Sequence, residues 1–275
     1  MFLANFFQIF TREYIIYALI IGVMMSISLA LLGVSLVLKK QSMIGDGLSH
    51  VGFGACAIAA SMSWAPLYFA IPVVIVASIL ILLLSQKSKV YGDSAIALAS
   101  TTALAVGYAA IELSNGVSFN LESFLYGSLL GTTLTEVIIS VIIGVIVILF
   151  FIFFYNRIFV TTFDETFAKS CGVKSNVISA LIAILTSITV VIGMKVMGAL
   201  LITSLIIFPV ISARQIFTRF KSVLVASLVF GVIAFLIGLL IACLINNMPI
   251  GSSIVFASLL ICLISLAISK LILKR

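Results

Sequence analysis

Residues Val137–Tyr155 read VIISVIIGVIVILFFIFFY, nineteen consecutive positions without a charged side chain. A continuous apolar run of this kind matches a membrane-crossing helix of about 20 residues. It does not match a β-barrel strand, which alternates apolar and polar over roughly ten residues. The rest of the chain has the same character. Of 275 residues, 64% are hydrophobic and 8% charged, and the mean hydropathy is +1.42. Soluble globular proteins carry about 25% charged residues, so this chain has too few to build a water-facing surface. In lipid every backbone N–H and C=O must find an internal partner, which leaves helices or closed barrels. The expectation is an all-α polytopic bundle over residues 1–275, one domain with a single shared core.

Nine spanning helices are predicted: Tyr14–Leu38, Gly45–Ser61, Ala65–Leu84, Ser94–Leu113, Leu134–Tyr155, Val177–Met194, Val196–Ala213, Val223–Ile245 and Ser252–Leu273. Eight is the alternative if one short segment does not cross. Ser118–Gly131 reads as a short or re-entrant helix. Phe2, Leu3, Phe6, Phe7 and Phe10 would fall near one helical face, which reads as a short N-terminal interfacial helix or as a plain extension of the first span. Lys195 reads as a solvated charge at the turn between the sixth and seventh spans. Asp93 reads as the cap of the fourth span, and Pro209 should kink the seventh.

The net charge of +7 is a record of topology, not of nucleic-acid binding. With the N-terminus outside, thirteen basic residues lie in inner loops or at the inner C-terminus, and only Arg12 and Lys195 lie outside. The outer loops carry Glu112, Glu122 and Glu136, and Trp64 sits at an outer boundary, where aromatic belts form. The expected location is thus a cell membrane, with the N-terminus outside and the C-terminus cytoplasmic. Cys56, Cys171, Cys243 and Cys262 form no CxxC pair and no metal-ligand spacing. No P-loop is present, so any ATP chemistry must come from a partner.

Two segments carry chemistry. The single histidine, His50, follows Asp46 by four residues in Met43-Ile-Gly-Asp-Gly-Leu-Ser-His50. On a helix this i, i+4 pair is offset by about 40° and about 6 Å along the axis, so both side chains share one face. Imidazole and carboxylate together suit zinc, manganese or iron. Ionisable groups in a spanning helix usually mark an ion path. An intrahelical hydrogen bond near the headgroups is the other reading, and the residues alone leave both open. Two ligands fall short of the four that zinc prefers; a homodimer with its two-fold axis through the pore would supply two of each.

The second segment is Phe163-Asp-Glu-Thr-Phe-Ala-Lys-Ser-Cys-Gly172. Thr162 or Asp164 can cap a short helix there, and Gly172 can end it. Such a helix on the inner face could dock a cytosolic partner, or it could be an ordinary loop.

These segments resemble the zinc/manganese/iron-chelate ABC transporter permease family of bacteria. Lys39–Lys40 followed by Met43–His50 is similar to that family's basic-then-Gly-Asp-x-x-Ser-His signature. Phe163–Gly172 is similar to its Phe-Asp-x-x-x-Ala-x-x-x-Gly loop. Val196-Met-Gly-Ala-Leu-Leu201 with Leu205, Pro209 and Ala213, and Pro249-Ile-Gly-Ser-Ser253, resemble two further signatures in the right order.

The resemblance implies that Asp46 and His50 bind a transported metal ion, and that Phe163, Asp164, Ala168 and Gly172 belong to a coupling helix docking an ATPase subunit. It implies a homodimer with two cytosolic ATPases, an extracellular metal-binding lipoprotein or periplasmic protein, and ATP-driven alternating access. The chain itself is then a transport subunit and not an enzyme, with no permanently bound cofactor. The stretch Asp46–Gly54 looks more like zinc members, with manganese or iron as the alternative cargo. Two other classes compete on the residues. A secondary ion-coupled metal transporter needs further intramembrane acids as a relay. An intramembrane metalloenzyme needs a third ligand and a general base.

Overall fold

The computed structural model describes residues 13–87, 92–114, 127, 131–245 and 248–271. Every regular element among them is a helix: α1 (Glu13–Leu38), α2 (Ile44–Ser61), α3 (Pro66–Lys87), α4 (Gly92–Leu113), α5 (Leu134–Phe153), α6 (Tyr155–Phe163), α7 (Glu165–Ser170), α8 (Ser175–Met197), α9 (Ala199–Ile216), α10 (Phe220–Leu244) and α11 (Ile250–Leu271). Eight of these are long and apolar enough to cross a membrane. The exception among the expected nine is α2, whose Asp46, His50 and four glycines dilute its apolar content. The N-terminal interfacial helix and nearly all of Ser118–Gly131, Glu122 included, lie outside the described residues.

α1 and α8 form the centre, with 61% and 67% of their spans buried. One side of α1 meets α5 and α10, while α2 packs against α3, α4, α8 and α9. Polar side chains inside the spans are largely answered within their own helices. Ser28 Oγ donates to Met24 O, Thr186 Oγ1 to Ile182 O and Ser258 Oγ to Ile254 O, at 2.7–2.8 Å. Such back-bonding to the i−4 carbonyl lets a hydroxyl sit in lipid-like surroundings without an orphaned donor.

Three boundaries differ from expectation. The fifth span ends at Phe153, and a separate helix, α6, follows through Phe163. The turn after the sixth span lies at Gly198 (φ +87), not at Lys195, so α8 runs on through Met197. Lys195 is not simply solvated: its Nζ donates to Glu136 Oε1 at 2.7 Å, joining the C-terminal end of α8 to the first turn of α5. Glu136 also accepts from Thr133 N at 2.9 Å, which closes the start of α5. Asp93 lies inside the first turn of α4 rather than at its cap.

α2 and α4 run parallel and nearly touch backbone to backbone. A Cβ added at Gly54 would lie 2.3 Å from Ala103 O, and one at Gly107 would lie 2.8 Å from Gly54 Cα. Small residues at such crossings let helices approach where no hydrophobic force draws them together. Gly54→Val is therefore predicted to destabilise the fold by roughly the 1–3 kcal/mol of an overpacked core, read as a lower midpoint of thermal unfolding in detergent. An unchanged midpoint would mean that the two helices part freely.

Candidate functional site

Asp46 and His50 lie in the first two turns of α2, on the one strip of that part of the helix left open. Ile44, Gly45, Gly47, Leu48 and Ser49 are all buried, whereas the side chains of Asp46 and His50 are 40% and 29% exposed. His50 Nε2 is 3.6 Å from Asp46 Oδ2. That is too long for a hydrogen bond and close enough for both to meet one ion. Ser49 Oγ donates back to Asp46 O at 2.7 Å, within the same turn. Among the described residues no third His, Cys, Asp or Glu joins the pair.

The helix packed most closely against α2 is α4. Of the eight long helices, α4 is the least apolar and also the least covered, with 17% of its span buried. In lipid the most exposed helix should be the most apolar. α4 instead exposes Ser94, Thr101, Tyr108 and Glu112 along one side. A polar strip of this kind suits a water-filled path or another subunit better than acyl chains.

The Phe163–Gly172 segment folds as a capped helix, α7. Asp164 is its N-cap, and Oδ1 accepts from Thr166 N at 2.9 Å and Phe167 N at 3.0 Å. The Thr166 hydroxyl, then these amides, hold the exposed Asp164 carboxyl below its usual range. Gly172 closes the helix with φ +75, while Val173 N donates to Ala168 O and Gly172 N to Lys169 O. This is a Schellman motif.

Ala168 is wholly buried, so it seats α7 on the bundle. Phe163 and Phe167 are by contrast 59% and 58% exposed. Phe163 also joins a ring cluster with Phe159 and Phe220 at centroid distances of 5.1 and 5.9 Å.

One connection had no local sign in the sequence. Lys39 Nζ, at the end of α1, donates to Glu165 Oε1 of α7 and to Ser179 Oγ of α8, both at 2.8 Å. Its side chain is 12% exposed, so the ion pair is shielded far better than a surface pair. The turn that follows, with Lys40 at φ +59, leads directly into α2. α7, the α1–α2 turn and α8 are thus fastened at one point.

The chain is similar to known membrane transport proteins over most of its length. The zinc uptake system membrane protein ZnuB of Haemophilus influenzae is 27% identical over 254 residues, covering 92% of this chain and 97% of that protein. The manganese transport system membrane protein MntC of Halalkalibacterium halodurans is 28% identical over 125 residues, 46% of this chain and 43% of that one. Among solved structures, PsaBC from Streptococcus pneumoniae, in complex with Fab, superposes with a TM-score of 0.83 at 28% identity, covering 96% of this chain and 95% of that chain. A family model, the ABC 3 transport family, matches residues 11–269, almost the whole sequence. The chain belongs to the ABC 3 transport family.

Proposed function

We propose that this chain is the membrane-spanning permease of an ABC importer that brings a divalent transition metal ion, zinc, into the cytoplasm. The observation that carries the reading is the Asp46–His50 pair, partly exposed on α2 where that helix packs against α4, with no third His, Cys, Asp or Glu joining it among the described residues. Two copies facing each other across a central path would offer two carboxylates and two imidazoles, the donor set and number that zinc accepts. A site shared across an interface comes apart when the interface moves, which is what release requires of a cargo site.

In this reading the end of the bundle bearing Lys39, Arg214 and Lys221 is cytoplasmic, the N-terminus is outside, and α7 presents Phe163 and Phe167 to a separate ATPase subunit. An extracellular metal-binding protein delivers the ion to the opposite face. ATP hydrolysis belongs to the partner. The zinc reading is supported by the ZnuB match, which extends over nearly all of both chains. Manganese is the second reading, since carboxylate and imidazole serve both ions.

The test is metal accumulation in cells lacking their own high-affinity uptake and supplied with this chain, its ATPase and its binding protein. The expected result is ATP-dependent uptake of radiolabelled zinc well above manganese. Uptake of manganese in its place would keep the mechanism and change the cargo. Uptake by the chain without the ATPase, driven by an ion gradient, would overturn the permease assignment.

A further inference from the structure

A groove of about 1000 Å³ opens on the side of α1 remote from α2, between α5 and α10. Its walls include Ile27 and Leu31 of α1, Phe151 of α5, and Leu224, Leu228 and Val232 of α10. At one end the lining changes character to Tyr155, Asn156 and Lys221. On α10 the lining runs from Lys221 to Ile233, a rise of about 18 Å. One leaflet of a bilayer has a hydrocarbon depth of about 15 Å. The groove is therefore one leaflet deep, apolar along its length and polar at its mouth.

The charge at the mouth has one sign. No Asp or Glu lines the groove, and none of the ion pairs among the described residues uses Lys221. Lys221 stands in the first turn of α10, whose N-cap, Arg219, makes no side-chain cap bond, and that turn holds no acidic residue. The positive end of the helix dipole thus adds to the ammonium. The Asn156 amide and the Tyr155 hydroxyl add neutral donors at the same level. A flat helix face would accept any lipid of the surrounding bilayer. A concave apolar slot under a cation selects an acyl chain joined to an anionic headgroup.

We infer that this groove is a binding site for one anionic phospholipid, its phosphate at Lys221 and Asn156 and its acyl chains between α1, α5 and α10. The leaflet is that of the basic end, which is the cytoplasmic one on the orientation proposed above. The site itself does not depend on that orientation or on the transported metal. Its distance from α2 argues against a second copy of this chain as the occupant, because the open polar faces of α2 and α4 lie on the other side.

The test is native mass spectrometry of the full chain released from vesicles of equal parts phosphatidylglycerol and phosphatidylcholine. The expected result is about one retained phosphatidylglycerol per chain. Lys221→Gln should reduce its preference over phosphatidylcholine by about five-fold, the equivalent of roughly 1 kcal/mol for one basic side chain near an anionic surface. Lys270→Gln, an exposed lysine in the last turn of α11 and outside the groove, should leave it unchanged. Val229→Trp, which narrows the slot from a 47% exposed position, should lower retention of both lipids. Equal retention of the two lipids by the wild type, or a Lys221→Gln chain that behaves like wild type, would overturn the site. So would disulfide cross-linking between copies through Val229→Cys in the membrane, with Cys171 replaced by serine, because the groove would then face another subunit.

Discussion

His50→Ala is expected to abolish metal uptake while the chain still inserts and assembles with its ATPase. Loss of a partner that merely orients a metal ligand reduces metal affinity by about 10–100-fold, and His50 is proposed as a ligand itself, so the effect should exceed that range. In a two-fold arrangement each substitution also removes two donors at once. The fold should survive, because the imidazole is 29% exposed and its nearest polar partner, Asp46, stands 3.6 Å away without a hydrogen bond. Asp46→Ala should do the same, whereas Asp46→Glu, which keeps the carboxylate, should retain part of the activity. Uptake is read with radiolabelled zinc, and assembly by copurification of the ATPase. Wild-type uptake in His50→Ala would remove the pair from the ion path and leave the intrahelical reading in its place.

Phe167→Asp is expected to separate the chain from its ATPase. Phe167 is 58% exposed on a six-residue helix, and the exposed Phe163 ends the helix before it. An aromatic anchor at the centre of an interface is commonly a hot spot of 2 kcal/mol or more, which corresponds to a loss of at least about 30-fold in affinity. Asp at this position leaves the Asp164 cap and the buried Ala168 seat untouched, so α7 itself should persist. The measurement is copurification of the ATPase, together with ATP-dependent uptake. If both match wild type, α7 is not the docking element. Ala168→Trp is a poorer probe, because a side chain with no exposure cannot enlarge without unseating the helix.

The spans were readable because their signal is local. Runs such as Val137–Phe153 need no tertiary information to announce a crossing helix, and the i, i+4 spacing of Asp46 and His50 needs only helix geometry. The cap at Asp164 and the stop at Gly172 were readable for the same reason: each depends on bonds within five residues. What escaped depended on partners distant in sequence. Lys39 and Glu165 are 126 positions apart, and nothing around either foretells the other. Lys195 appeared solvated because Glu136, its partner, begins a different helix. The polar residues of α4 were visible as composition. Which side of α4 they occupy was not, because that is set by the contact of Ala103 and Gly107 with Gly54. The break at Phe154 had no signal, as apolar residues continue through Tyr155 without a glycine or proline.

The meeting of Gly54 with Ala103 and Gly107 also limits how the molecule can work. Where helices touch through side chains, rotamer changes absorb small displacements, and each helix can turn a little on its own axis. Where peptide backbones meet directly, no such cushion exists. Any rotation of α2 alone would drive a peptide group of one helix into the other, so α2 and α4 travel as a single stiff plank. Asp46 and His50, the proposed metal ligands, ride on that plank. On the proposed function, opening and closing of the path is then a hinge or slide of the whole α2–α4 pair against α1 and α8, with coordination of the cargo altered by moving the planks apart.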